Sequence, residues 1–166
     1  MEPKIVAKPA SKIVGYELKT TCREGKHFQE IPAFWANLER EQSDMLNKTL
    51  RAVHHNKLGI YLPPDSTTDD FSYVIALEVY NYEGVVPDMF RGELPGATYA
   101  VFIVLPVESL GTTFSGALQG TWQYIYTTWF PGSDYEFDER GVEFELYYEA
   151  TKVEIYIPVV KKREDL

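Results

Sequence analysis

Polar and apolar residues alternate most cleanly between Glu143 and Val159. Neighbouring side chains on a strand point to opposite faces, so the alternation predicts the two strands of a hairpin. On the first strand, Phe144, Leu146 and Tyr148 share one face, and Glu143, Glu145, Tyr147 and Glu149 share the other. On the return strand, Val153, Ile155, Ile157 and Val159 share a face, and Glu154, Tyr156 and Pro158 share its opposite. A carboxylate and several tyrosines are therefore expected along one side of the pair. Under open water that side is an ordinary solvated face. Covered by the rest of the chain, it holds negative charge among aromatic rings, which suits a flat, apolar cation.

Upstream, residues 4–7 and 12–20 read as strands joined around Pro9, and residues 20–27, polar with Gly25, read as a loop. Phe28, Ile31, Phe34, Trp35, Leu38 and Met45 recur at helical spacing. They predict an amphipathic helix of about four turns, with Pro32 tolerated in its first turn. Residues 58–62 and 71–80 read as strands split by a turn-rich segment from Pro63 to Asp70. Residues 89–94 and 98–105 are two more strands. Thr112 or Thr113 is placed to cap a second helix, whose buried stripe is Phe114, Leu118, Trp122, Ile125 and Trp129. Phe130-Pro131-Gly132 ends it, and a polar turn leads into the hairpin.

Laid end to end, strands, helix, strand, strand occur over about residues 1–80 and again over about 89–160. This order predicts an α+β fold over residues 1–166 as one domain: a pseudo-twofold duplicated strand-helix-strand-strand repeat. Its antiparallel sheet carries two main helices that flank a central ligand groove.

Composition narrows the function. Hydrophobic residues make up 45% and charged residues 25%, a globular balance. The aromatic share of 14%, with 12 Tyr and 3 Trp, supplies both core and binding surface. Acidic side chains number 25 against 16 basic ones, a net charge of −9, which disfavours direct nucleic-acid binding and attracts cations. The one cysteine, Cys22, excludes an internal disulfide and fits a reducing, cytoplasmic setting. No apolar run is long enough to span a bilayer, so no membrane partner is expected. Cys22 with His27, and His54 with His55, do not match a four-ligand zinc spacing, so neither metal nor cofactor is expected.

Trp122 to Tyr135 (Trp-Gln-Tyr-Ile-Tyr-Thr-Thr-Trp-Phe-Pro-Gly-Ser-Asp-Tyr), Phe144-Glu145-Leu146-Tyr147 and Glu154-Ile155-Tyr156-Ile157-Pro158-Val159, in this order of elements, resemble the GyrI-like superfamily. These are effector-binding domains of bacterial multidrug-responsive transcription regulators and gyrase-inhibitory proteins. The resemblance spans about residues 3–161 and implies two sheet-and-helix repeats flanking a pocket. It implies that Glu145 pairs with lipophilic cations while Tyr147, and Tyr156 in the final strand, stack on them. The DNA-binding module of the regulators has no counterpart in the matched region. The chain thus resembles the stand-alone ligand-binding type, of a sort found on integron gene cassettes. The protein partners implied are a regulator's DNA-binding module or gyrase; a homodimer is equally open.

A carboxylate in a dry pocket loses hydration worth several kcal/mol, and a bound organic cation compensates. Ring faces add about 0.5–2 kcal/mol each through cation–π attraction. Candidate walls are Tyr147 and Tyr156 from the hairpin, Trp122 and Tyr126 from the second helix, and Tyr61 and Tyr73 from the first repeat. Alternation alone leaves Glu145 on a solvated face, and the resemblance moves it into the pocket. Trp122, at helical spacing, reads more readily as core than as ligand wall, and Tyr61 and Tyr73 read equally as sheet packing. Glu143 and Glu149 are expected to face solvent, because one pocket rarely holds three carboxylates. The resemblance also implies an alternative activity, hydrolysis of strained electrophilic toxins, for which a buried glutamate is a suitable general base.

Overall fold

The structure, a computed structural model, describes residues 2–41, 46, 48–49, 51–63, 67–105, 114–148 and 151–163. The capping residues Thr112 and Thr113, the stripe residue Met45, the side chain of Phe114, residues 64–66 of the turn-rich segment and Glu149 lie outside the described residues. The fold is α+β and mostly antiparallel, and the chain divides into two compact units, residues 10–94 and residues 1–9 with 95–166.

The first unit contains β2 (Ser11–Thr21), α1 (His27–Glu41), β3 (Lys57–Tyr61), β4 (Asp70–Val79) and β5 (Phe90–Leu94), and its strand order is β5-β2-β4-β3. β2 and β4 pair from Lys12 opposite Val79 to Thr21 opposite Asp70. Gly15 is required there, because a Cβ would lie 1.9 Å from the Ile75 carbonyl oxygen. Tyr16, Tyr73, Ile75 and Leu77 from the sheet meet Leu38 of α1 in the core, with Phe34 and Trp35 packed against them. The helix starts one residue before Phe28, so Pro32 sits in its second turn rather than its first. Phe28, expected in the buried stripe, is 68% exposed.

The second unit contains β1 (Lys4–Lys8), β6 (Ala97–Val104), helix α2 (residues 114–132), β7 (Tyr135–Phe137), β8 (Glu143–Tyr148) and β9 (Lys152–Lys161). Its order is β1-β6-β9-β8, and β7 pairs with the far end of β9, Phe137 opposite Val159. Both units therefore repeat strand, helix, strand, strand, and each gains an edge strand from elsewhere in the chain. The N-terminal β1 joins the second unit and β5 the first, the reverse of what chain order suggests. β7, in the stretch read as a polar turn, is too short for alternation to reveal.

α2 runs from Phe114–Tyr124 through a π-helical segment, Ile125–Trp129, to a last turn at Phe130–Gly132. Within the π segment the Phe130 N–H bonds back to the Ile125 carbonyl. Ile125 and Trp129 drive into the core formed by Phe102, Val153, Ile155 and Ile157. Trp129 meets Phe102 edge-on at 5.2 Å. Removing a ring of that size from water contributes roughly 2–3 kcal/mol, enough to fix the helix on the sheet.

Candidate functional site

The entry into β8 is set by a tight turn. The Asp138 N–H donates to the Pro158 carbonyl at 2.9 Å, and the Gly141 N–H donates to the Asp138 carbonyl at 3.0 Å. A Cβ on Gly141 would lie 2.4 Å from that of Pro158, so only glycine permits this approach to β9. The register that follows places Glu145 opposite Ile155 and Tyr147 opposite Val153. Both partners belong to the core beneath α2, so Glu145 and Tyr147 face the helix.

Glu145 is 2% exposed. The Trp122 indole N–H donates to its Oε2 at 2.8 Å, and the Tyr147 hydroxyl donates to its Oε1 at 2.9 Å. One helical turn after Trp122, the Tyr126 hydroxyl donates to Glu143 Oε2 at 2.6 Å. The Trp122 and Tyr126 rings lie nearly parallel, 8° apart with centroids 6.3 Å apart. Tyr126 is 45% exposed, but its hydroxyl points inward. Burial of that hydroxyl and the Glu143 charge hold its pKa far above that of an ordinary phenol. Burial likewise pushes Glu143 above the usual carboxylate range, with the Tyr126 hydrogen bond acting in the opposite direction. π segments recur at functional sites because they re-aim side chains along a helix. Here the segment begins between Trp122 and Tyr126, the two donors to β8.

Glu145, Tyr147, Trp122 and Tyr126 are thus brought together within one unit. Tyr156 is not. It lies opposite Phe144, on the face turned away from α2, stacked on Phe144 at 4.6 Å and edge-on to Tyr99 at 5.6 Å. The expectation that the glutamate face and the Tyr156 face coincide is corrected by this register: Glu145 pairs with Ile155, not with its neighbours in sequence. Tyr61 and Tyr73 belong to the other unit and meet each other edge-on at 5.0 Å. Tyr73 has no exposed surface and accepts a 2.8 Å hydrogen bond from the Trp35 indole, so it is a core residue and not a ligand wall. Tyr61 is half-buried and stacks on Phe71. Among the described residues, no group of three or more His, Cys, Asp or Glu is placed to hold a metal ion.

No curated protein matches the sequence. The profile of the integron-associated effector binding proteins, Cass2, matches residues 4–159. The chain belongs to this family. Among solved structures, its fold is similar to that of SAV2435 bound to tetraphenylphosphonium, at 20% identity over 96% of this chain and 94% of that one, with a TM-score of 0.76. It is also similar to an integron cassette protein from Vibrio cholerae, at 17% identity over 96% of each chain and a TM-score of 0.64. A third similar structure is EcmrR in complex with DNA, at 13% identity over 97% of this chain and 58% of that one, with a TM-score of 0.64. At these identities the likeness is one of fold.

In this member of the effector-binding family, the residue that sequence reasoning set aside is Glu143. It is half-buried, faces α2 with Glu145, and is held by Tyr126. Its signal was present in the alternation, which puts positions 143, 145 and 147 on one face. The expectation that one pocket rarely holds three carboxylates points it to solvent instead.

Proposed function

We propose that this protein binds amphipathic, drug-like organic cations at the face of β8 beneath α2. Glu145 supplies the counter-charge, and Trp122, Tyr126 and Tyr147 supply ring surface. One observation carries the reading: a carboxylate that is 2% exposed, with an indole N–H and a phenol O–H on its two oxygens. Out of water, a full negative charge costs several kcal/mol to hold. A cation whose charge is spread over rings repays that cost while losing little hydration of its own. Ring faces attract it with little directionality, so one site accepts many shapes. Membership in an effector-binding family and the fold shared with a tetraphenylphosphonium-bound protein support the same reading.

The test compares tetraphenylphosphonium with neutral triphenylphosphine oxide, each titrated against the wild type and Glu145→Gln by tryptophan fluorescence. The substitution is expected to weaken the cation at least tenfold, about 1.4 kcal/mol, and to leave the neutral compound within twofold. Equal losses for both, or none for the cation, contradict the reading.

A further inference from the structure

Glu143 and Glu145 stand two residues apart on one face of β8, which separates them by about 7 Å along the strand. Each is met by a ring from α2 one turn apart, Trp122 on Glu145 and Tyr126 on Glu143. The two rings are parallel within 8°, so they form one continuous aromatic strip over two carboxylates. Glu143 is half-buried, and among the described residues its hydrogen-bond partner is the neutral Tyr126 hydroxyl. Among the described residues of this unit, the ion pairs Arg140 with Asp138 and Lys152 with Glu154 do not involve it. Tyr126 is also the most exposed ring of the strip, so a ligand entering from solvent meets it first.

We propose that Glu143 is a second anionic anchor, and that the site selects aromatic ligands carrying two positive charges about 7 Å apart over those carrying one. The proposal rests on the reading of Glu145 as the first anchor. A dication lying along the strip places its ring-borne charge at Glu145 and its second charge at Glu143. On arrival the second charge displaces or shares the Tyr126 hydroxyl, which stays available as a donor because its proton is held tightly. A monocation reaches only the first carboxylate and leaves the second with its phenol.

Ethidium and propidium separate the two cases, since they share a phenanthridinium ring and propidium adds a quaternary ammonium on a three-carbon arm. The wild type is expected to bind propidium at least tenfold more tightly than ethidium. Glu143→Gln is expected to bring that ratio below about threefold. Glu136→Gln removes an exposed carboxylate on β7, makes the same change in net charge, and is expected to keep the ratio. Tyr126→Phe frees the Glu143 carboxylate from its hydroxyl and is expected to raise the ratio, a readout independent of whether Glu143→Gln folds. A ratio that survives Glu143→Gln, falls equally in Glu136→Gln, or falls in Tyr126→Phe overturns the proposal. Ethidium bound by the wild type with a ratio near one overturns this inference alone; a wild type that binds neither dye overturns the reading beneath it as well.

Discussion

β3 of the first unit reads Lys57-Leu58-Gly59-Ile60-Tyr61, and β8 of the second begins Glu143-Phe144-Glu145-Leu146-Tyr147. Each follows the helix of its unit, each pairs with the unit's last long strand, and in each the tyrosine at the fifth position, Tyr61 or Tyr147, packs on the helix side. Each helix also sends an indole N–H to the sheet, where it makes a 2.8 Å hydrogen bond. What the indole meets differs. Trp35 meets the hydroxyl of Tyr73, and Trp122 meets the carboxylate of Glu145. The first unit has glycine two residues before its strand tyrosine, and a fully buried phenol satisfies the indole. The second has a glutamate there, with another two residues earlier. One scaffold thus has two fillings: a neutral, core-like one in the first unit and a charged one in the second. A neutral phenol is a low-cost acceptor in a core; a buried carboxylate carries a desolvation cost that packing does not need. On the proposed reading, Glu145 serves binding rather than stability.

If so, the two acceptors respond oppositely to removal. Tyr73→Phe removes the acceptor of Trp35 and is expected to cost about 1 kcal/mol, lowering Tm by roughly 2–4 °C. Its affinity for tetraphenylphosphonium should stay within twofold of wild type. Glu145→Gln keeps an oxygen for Trp122 and loses the buried charge, so its Tm should be unchanged or higher even as cation binding falls. Thermal melts alongside dye titrations check both. A Glu145→Gln protein that melts well below Tyr73→Phe breaks the comparison.

A smaller effect concerns Glu143. Burial raises its carboxyl pKa, so the native state binds the proton more tightly than the unfolded chain. Its contribution to stability is therefore full below the ordinary carboxylate pKa of about 4.3, and is lost as pH rises through the raised value. Glu143→Gln removes that loss. Melts at pH 4 should coincide with wild type, and at pH 8 the variant should melt higher by about 1–3 °C. A variant that melts lower at pH 8 contradicts the burial of this charge.

Much of the fold was legible in the sequence because most elements obey local rules. Alternation located the hairpin, helical spacing located both helices, and Phe130-Pro131-Gly132 marked where α2 ends. Glu145 was legible only through the Phe-Glu-x-Tyr resemblance, since alternation alone places it as readily in water. What was not legible depends on register and on pairing at a distance. Tyr156 was assigned to the glutamate side because both strands carry a polar face, but which faces coincide is fixed by Glu145 pairing with Ile155. The exchange of β1 and β5 between units is a long-range pairing that no local pattern encodes. Phe28 fits the helical stripe, but it lies in the first turn and faces solvent.

Tetraphenylphosphonium and tetraphenylborate have nearly the same shape and opposite charge, so calorimetric titration of the wild type with each isolates the sign of the site. A buried carboxylate under aromatic rings predicts saturable binding of the phosphonium, and affinity for the borate lower by at least tenfold. Equal affinities, or tighter binding of the borate, would contradict Glu145 as the charge that recognises the ligand.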